Sequence, residues 1–517
     1  MQALFKGILQ DILEDATLNI EIQKNQENKM SKSRLKHPKA LAPLTLCYAL
    51  FMAAFGGILA SLTLYQTNQL HMDTDTAYGV FAAAMALLWI LPLLGGYLAG
   101  KWGYIPAARM GVIACTLGMA AFCFNSVATL YIGLALFVVG NALATPAIWC
   151  MVDHCYTKNS PLREAGFTLF YLFFNLGAVI SIFAGGALAE KFGFGVEFGL
   201  DTACLILAYL LLQFYSHHIS SHKDRSIAAQ VSWSRKKIYT ALSLSILIGT
   251  PVSIILFNHL NLNNILMMTL MLASVALLLI KALNRSDKQQ RNRMLAFIFL
   301  SIISVIFWIL YSLEPSFLSV FINTNVDTTL LGANLPASSF FAFDGVFVIL
   351  IGLILSRLWF YLSIKNKNPS LAVKFSSSLV IIGLGFVYLA WMVTFHKSTL
   401  MPAHDIVIAY AIFATAELLV SPLGISMVGS LAPEGEEGLM MGFWQLSTGV
   451  GGVLAGYIAI LPNLPQTTAP LIVSNLIYYK TFLWVGLGAL IAGLIILCFA
   501  RKLAHLMRET AYLAPQV

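Results

Sequence analysis

The sequence predicts an all-α membrane protein of fourteen transmembrane helices, ordered six, two and six, with both termini cytoplasmic. Three observations carry that reading. Of 517 residues, 59% are hydrophobic and 10% charged, against roughly 25% charged in an ordinary soluble domain. Apolar runs long enough to cross about 30 Å of hydrocarbon recur along the chain. The basic residues gather on alternate loops. So little charge cannot surface a soluble enzyme of this size, and so much apolar content excludes a disordered scaffold. A net charge of +8 would suggest nucleic acid in a soluble protein; here its distribution marks topology instead.

Residues 1–40 form a cytoplasmic tail with seven Lys/Arg, five Asp/Glu and no continuous apolar core, so they are not a secretory signal. LFKGILQDIL (4–13) has the pattern of a short surface helix, and a solvated tail is the simpler reading. Met30 precedes SKSRLKHPKAL and can itself start the chain, so residues 1–29 are read as dispensable or untranslated.

Six spans follow near 41–66, 77–100, 104–124, 127–152, 166–189 and 198–216, giving an N-terminal bundle over 41–216. The basic linkers HHISSHKDRSIAAQVSWSRKK (217–237) and KALNRSDKQQRNR (281–293) bracket two extra spans, 239–257 and 263–283. Six more spans near 294–313, 340–363, 371–395, 405–430, 438–460 and 477–500 give a C-terminal bundle over 294–502, followed by a tail, 503–517. With the N-terminus in the cytoplasm, 28 of the 31 Lys/Arg fall on that side, and Lys191, Lys397 and Lys480 on the other. One misplaced span would mix the two sets. The Gly-rich spans 166–189 and 438–460 are each fifth in their six, the pattern of an internal repeat.

An ionisable group in hydrocarbon is costly, so each one inside a span is a functional candidate. Only Glu417 falls near the middle of a span, about twelve residues in, or about 18 Å deep at about 1.5 Å per residue. Ser421 lies one turn on, and Pro422 and Gly424 should open the helix there. A broken helix beside a carboxylate suits a solute site; the alternative is a structural acid tied to a neighbouring helix. Asp201 and Asp344 sit about one turn inside the outer ends of their spans and are expected to stay wet. Tyr171 and Asn175 share a face of the fifth span, and Asn141 and Thr145 a face of the fourth. Such faces line cavities or make interhelical hydrogen bonds. Trp89 and Trp444 lie inside spans, as pocket walls or as packing.

His217, His218 and His222 have metal-like spacing but stand in a basic loop without a nearby acid or cysteine, so no metal is expected there. The seven cysteines show no Cys-x-x-Cys pair and read as small packing residues. GGYLAG (95–100) and GGVLAG (451–456) lie inside apolar helices, so they signal helix packing and not phosphate binding. There is no nucleophile–base pair and no nucleotide loop, so neither an enzyme nor a cofactor is expected.

REAGFTLFYLFFNLGA (163–178) resembles the fifth-helix signature of the proton-dependent oligopeptide transporter family, within the major facilitator superfamily. HPKAL (37–41), LPLLGGYLAGKWG (91–103), VVGNAL…P (138–146), FWILY (307–311), NVDTTLLGANLPAS (325–338) and ELLVSPLGISMVGSLAPEGEEGLMMGFWQLS (417–447) fit the family in order. The resemblance covers roughly 37–500, including the extra helical pair of bacterial members. It implies a major facilitator fold and solute contacts at Asn175, Glu417, Ser421 and Trp444. It also carries departures. The family's first-helix Glu-x-x-Glu-Arg falls on Tyr48, Phe51 and Met52, its fourth-helix Lys on Thr145, and its second-span Tyr on Trp89. Its Gln after FWxxx is Leu313, beside Glu314; its Asn-Pro in the eighth span of the twelve is Asp344-Gly345; its Asp-Arg after GGYLA is Gly100-Lys101. Losing all of a charge cluster costs little, whereas losing one partner strands a buried charge.

The resulting expectation is a secondary transporter in the bacterial inner membrane, a monomer in the bilayer, working by alternating access on a small polar, peptide-like solute. The site residues are Tyr48, Trp89, Thr145, Tyr171, Asn175, Glu417, Ser421 and Trp444, with Glu417 or Asp344 carrying any coupled proton. A proton-independent facilitator, a carrier of a siderophore or amino-acid derivative, and a non-transporting solute sensor remain open.

Overall fold

The computed structural model describes residues 36–157, 160–215, 233–460 and 470–507. The expectations for residues 1–35, including a start at Met30, and for His217, His218 and His222 lie outside them. Apolar runs become helices because only a helix satisfies its own backbone in hydrocarbon. The first span is α1 (Leu41–Leu64), extended by one π-helical turn, Tyr65–Gln69. The second is split at Leu91 into α2 (Thr74–Ile90) and α3 (Pro92–Trp102). Helices α4 (Tyr104–Phe122), α5 (Val127–His154), α6 (Arg163–Phe192) and α7 (Phe194–Phe214) follow. The extra pair is α8 (Arg235–Phe257) and α9 (Leu260–Leu283).

Helix α10 (Lys288–Ser312) leads to a second π-helical turn, Glu314–Leu318, and the short α11 (Ser319–Asn325). Helices α12 (Phe341–Ile364), α13 (Leu371–Phe395), α14 (Ala403–Leu418), α15 (Ser421–Leu431), α16 (Glu437–Ile460) and α17 (Leu471–Met507) complete the chain. Thirteen stretches among the described residues are long and apolar enough to cross a membrane, counting α2–α3 and α14–α15 as one each. The fourteenth expected span is α16, 24 residues long, which is less uniformly apolar because it carries Gln445, Ser447 and Thr448.

Local chemistry sets the breaks. Pro92 is the first residue of α3 and Pro422 the second of α15, where their missing N–H costs nothing, so each restarts a helix instead of continuing one. Gly103 and Gly193 turn the chain between helices in a single residue at φ +103° and +88°, where a side chain would be strained. Side chains of Ser126, Ser234, Asp287 and Ser370 cap α5, α8, α10 and α13.

The helices pack through glycines. A Cβ on Gly111 would lie 2.5 Å from the Gly140 carbonyl oxygen, and one on Gly118 2.4 Å from that of Gly133, so α4 and α5 meet backbone to backbone. Helices α3 and α16 meet the same way, with a Gly96 Cβ 2.0 Å from the Gly438 oxygen. Helix α6 packs along α12, where Leu172 fills the space at Gly352 and Ser356 donates to the Ala165 carbonyl at 3.2 Å. Helix α8 lies against α2, α4 and α5, and α9 against α2, α10 and α16.

Ion pairs close the end that carries the basic loops. Arg163 pairs with Asp153 and donates to the Ser426 carbonyl, linking α5 and α6 to α15. Lys374 reaches Glu164 at 2.7 Å, linking α13 to α6. Lys281 and Arg285 both reach Glu436 at 2.9 Å, linking the end of α9 to the start of α16. At the other end, β1 (Val326–Asp327) pairs in parallel with β4 (Met401–Pro402), and β2 (Thr329–Leu330) forms a hairpin with β3 (Ala333–Asn334). These ladders of two residues each leave the class all-α. The Asp327 carboxylate accepts the Thr329 N–H at 3.0 Å, and that bond holds it below the usual carboxylate range.

Gly438→Val should cost about 1–3 kcal/mol by forcing α3 from α16, whereas Gly456→Val, with open space around its Cβ, should not. Thermal unfolding in detergent checks this: a lowered Tm is expected for the first variant alone.

Candidate functional site

A cavity of about 150 Å3 opens between the first and last sets of helices. Its walls are Tyr48, Met52 and Phe55 from α1, Leu88 and Trp89 from α2, Asn141, Thr145 and Trp149 from α5, and Tyr171 and Phe174 from α6. The facing wall is Trp308 from α10, Ser421 and Ile425 from α15, and Trp444, Gln445 and Thr448 from α16. None of these side chains is charged.

The break between α14 and α15 builds part of this wall. It turns Ser421 and Ile425 into the cavity, and Gly424 makes room for the Trp444 indole, whose ring would lie 1.9 Å from a Cβ there. On the opposite wall the polar groups form a chain. Tyr48 donates to Thr145 Oγ1 at 3.4 Å, Thr145 to Asn141 Oδ1 at 2.7 Å, and Asn141 to the Leu88 carbonyl at 3.5 Å. The Tyr48 ring stacks on Phe51 and Phe170 at 5.7 and 5.2 Å. Of the three positions expected to be charged in the first helix, two therefore face the cavity, Tyr48 and Met52, and Phe51 is core.

Behind Tyr171 lies a cluster of buried acids. The Tyr171 hydroxyl donates to Glu417 Oε1. Glu417 and Asp344 are within hydrogen-bonding reach of each other, and Tyr311 donates to Asp344 Oδ2 at 3.0 Å. Glu314 is fully buried, at 0% exposure, beside both, and neither of its carboxyl oxygens has a hydrogen-bond partner. Tyr410 faces the same group. None of the ion pairs among the described residues involves Glu314, Asp344 or Glu417.

Six of the expected site residues, Tyr48, Trp89, Thr145, Tyr171, Ser421 and Trp444, are thus brought to one cavity. Glu417 is placed one side chain behind it. Asn175 lies outside the lining, with its amide donating to the Tyr171 carbonyl at 2.9 Å. Asp344 and Asp201 are buried, not wet as expected, because neighbouring helices cover the outer turns of their spans. Asp201 belongs to a separate group with Glu197, Ser61 and Ser181. Glu314 was not foreseen: it follows the apolar run FWILYSL, and only the π-helical turn carries it inward. Trp308 and Gln445 were also missed, since nothing in their spacing separates a wall residue from core packing.

A sequence profile described as the POT family matches residues 107–477. The chain is 28% identical over 466 residues to a dipeptide and tripeptide permease B of Photorhabdus luminescens, covering 88% of this chain and 93% of the relative. It is 25% identical over 486 residues to a dipeptide and tripeptide permease A of Pectobacterium carotovorum, covering 93% and 95%. Among solved structures it resembles a peptide transporter POT in complex with sulfate, with TM-score 0.65, 22% identity and coverage of 92% and 97%. It also resembles a POT family transporter in complex with 5-aminolevulinic acid, with TM-score 0.67, 22% identity and coverage of 91% and 97%. These likenesses show the major facilitator fold.

Tyr171→Phe removes a donor from a buried carboxyl group, at a cost of about 1–3 kcal/mol. In a double-mutant cycle with Glu417→Gln, the double variant should lose less stability than the two singles added. Full additivity in denaturation midpoints would show that the pair does not interact.

Proposed function

The chain belongs to the POT family, and on that premise we propose that it is a secondary transporter of a small peptide-like solute, working by alternating access. The observation that carries this is a central cavity walled on one side by α1, α2, α5 and α6 and on the other by α10, α15 and α16. A solute held there contacts both six-helix sets, 41–216 and 294–502, so its binding energy bears directly on their relative position. Tyr48, Trp89, Thr145, Tyr171, Ser421 and Trp444 are the contact residues. Asn175 supports Tyr171 from one turn away.

Transport is driven by a proton taken up at the acid cluster. Three carboxyl groups at one place in an apolar interior, without a lysine or arginine among them, need a proton or cation to offset their charge. A proton does this at the carboxyl oxygen itself and needs no further ligands. Glu417 is the principal acceptor because its hydrogen bond to Tyr171 ties it to the cavity wall. Asp344 and Glu314 share the charge. A solute that moves Tyr171 alters the hydroxyl bonded to Glu417 Oε1, and so alters the cost of ionising that carboxyl group.

In liposomes, the wild type should concentrate a labelled dipeptide derivative when a proton gradient is imposed. Glu417→Gln should keep counterflow exchange and lose gradient-driven accumulation. Accumulation that survives collapse of the proton gradient would eliminate symport.

A further inference from the structure

We infer that the solute taken by this cavity carries no carboxylate: it is a small amide-bearing molecule whose acid end is blocked or absent, such as a peptide amide or a cyclic dipeptide, with an aromatic or branched apolar side chain. This rests on the transport reading above and narrows it.

A carboxylate brought out of water needs a cation or several hydrogen-bond donors. The cavity supplies no cation, and its free donors are neutral and dispersed over several helices. All sixteen lining side chains are uncharged. The buried cations are committed elsewhere, Arg163 to Asp153 and Ser426, and Lys374 to Glu164, at the end with the basic loops. The charged groups that do stand near the cavity, through Tyr171, are carboxyls, of the wrong sign for an anion.

On the wall of α1 and α5 the hydroxyl donors are already used. The Tyr48 hydroxyl proton is given to Thr145, that of Thr145 to Asn141, and one amide proton of Asn141 to Leu88. The chain leaves one Asn141 N–H for a ligand, and the unpartnered Trp149 Nε1 adds a second on α5. On the facing wall, Trp308 Nε1, Ser421 Oγ and Gln445 Nε2 have no partner, with their residues 8%, 3% and 2% exposed. Neutral donors spread over α5, α10, α15 and α16 match separated amide carbonyls better than the two adjacent, charged oxygens of one carboxylate. The remaining surface is aromatic, with Phe55, Trp89, Phe174, Trp308 and Trp444 offering ring faces and edges to an apolar side chain.

The test compares three ligands of one side-chain composition on the full-length protein in liposomes: Leu-Phe, Leu-Phe amide and cyclic Leu-Phe. Each competes with labelled Leu-Phe amide in counterflow, and apparent affinities are read from the inhibition. The amide and the cyclic form should bind at least about tenfold tighter than the free acid. Thr145→Lys, which places an ammonium on the wall, should shift the ranking toward the acid. A free acid that competes as well as the other two overturns the inference while transport stands. If none of the three competes, the transport reading itself fails and the inference falls with it. Should Thr145→Lys not fold, the wild-type ranking still decides.

Discussion

The cost of placing a charge in hydrocarbon orders this molecule. Where the chain buries cations, it pairs each with an acid: Arg163 with Asp153, Lys374 with Glu164. These pairs stand at the end that carries the basic loops, and they join helices from different parts of the chain. Where it buries acids without cations, it gathers them, Glu314, Asp344 and Glu417 together, and surrounds them with the hydroxyls of Tyr171, Tyr311 and Tyr410. The cavity between these two regimes holds no charge. The pairs stabilise one arrangement of the helices, and the acid cluster supplies a group whose charge can change.

Backbone proximity gives the arrangement its precision. Where Gly96 meets Gly438, and Gly111 meets Gly140, no side chain cushions the contact, so the helices occupy a defined separation. Gly424 does the same for a side chain, since the Trp444 indole occupies the volume that a Cβ would need. The cavity wall thus depends on an absence of atoms in α15. The extra pair adds a different constraint. Helix α8 lies on the early helices, α9 on α10 and α16, and Lys281 and Arg285 fasten the end of α9 to Glu436. Movement of α16 relative to α5 must therefore carry or strain that pair.

Much of this was legible in the residues because a span is a one-dimensional property. Fourteen apolar runs and the distribution of lysine and arginine locate the helices without knowledge of their packing, and the break after Leu418 is written in Ser421-Pro422. Depth and neighbourhood are different quantities. Asp344 was placed near water by its distance from the end of its span, but Tyr311 from α10 and Glu417 from α14 close over it. Glu314 falls one residue past the expected end of its span at 313, and a π-helical turn extends the ordered backbone past that point. The resemblance to a transporter family supplied Ser421 and Trp444. It could not place Gln445 or Trp308, whose role depends on which face of α16 and α10 meets the cavity.

Tyr171 is the residue at which these two kinds of information meet. Its ring lines the cavity and touches Phe174 at 4.4 Å, and its hydroxyl is bound to Glu417. A hydrogen bond from a neutral donor stabilises a carboxylate more than a carboxylic acid, so the bond is strongest when Glu417 is ionised. Any displacement of the ring that lengthens the bond raises the cost of that ionised state, and protonation in turn frees the ring to move. The coupling is reciprocal by linkage and needs no contact between solute and acid. An uncharged cavity and a cluster of acids can therefore act as one device across a single tyrosine, which accords with a chain whose first and fourth spans, 41–66 and 127–152, hold no charged residue while its twelfth holds Glu417.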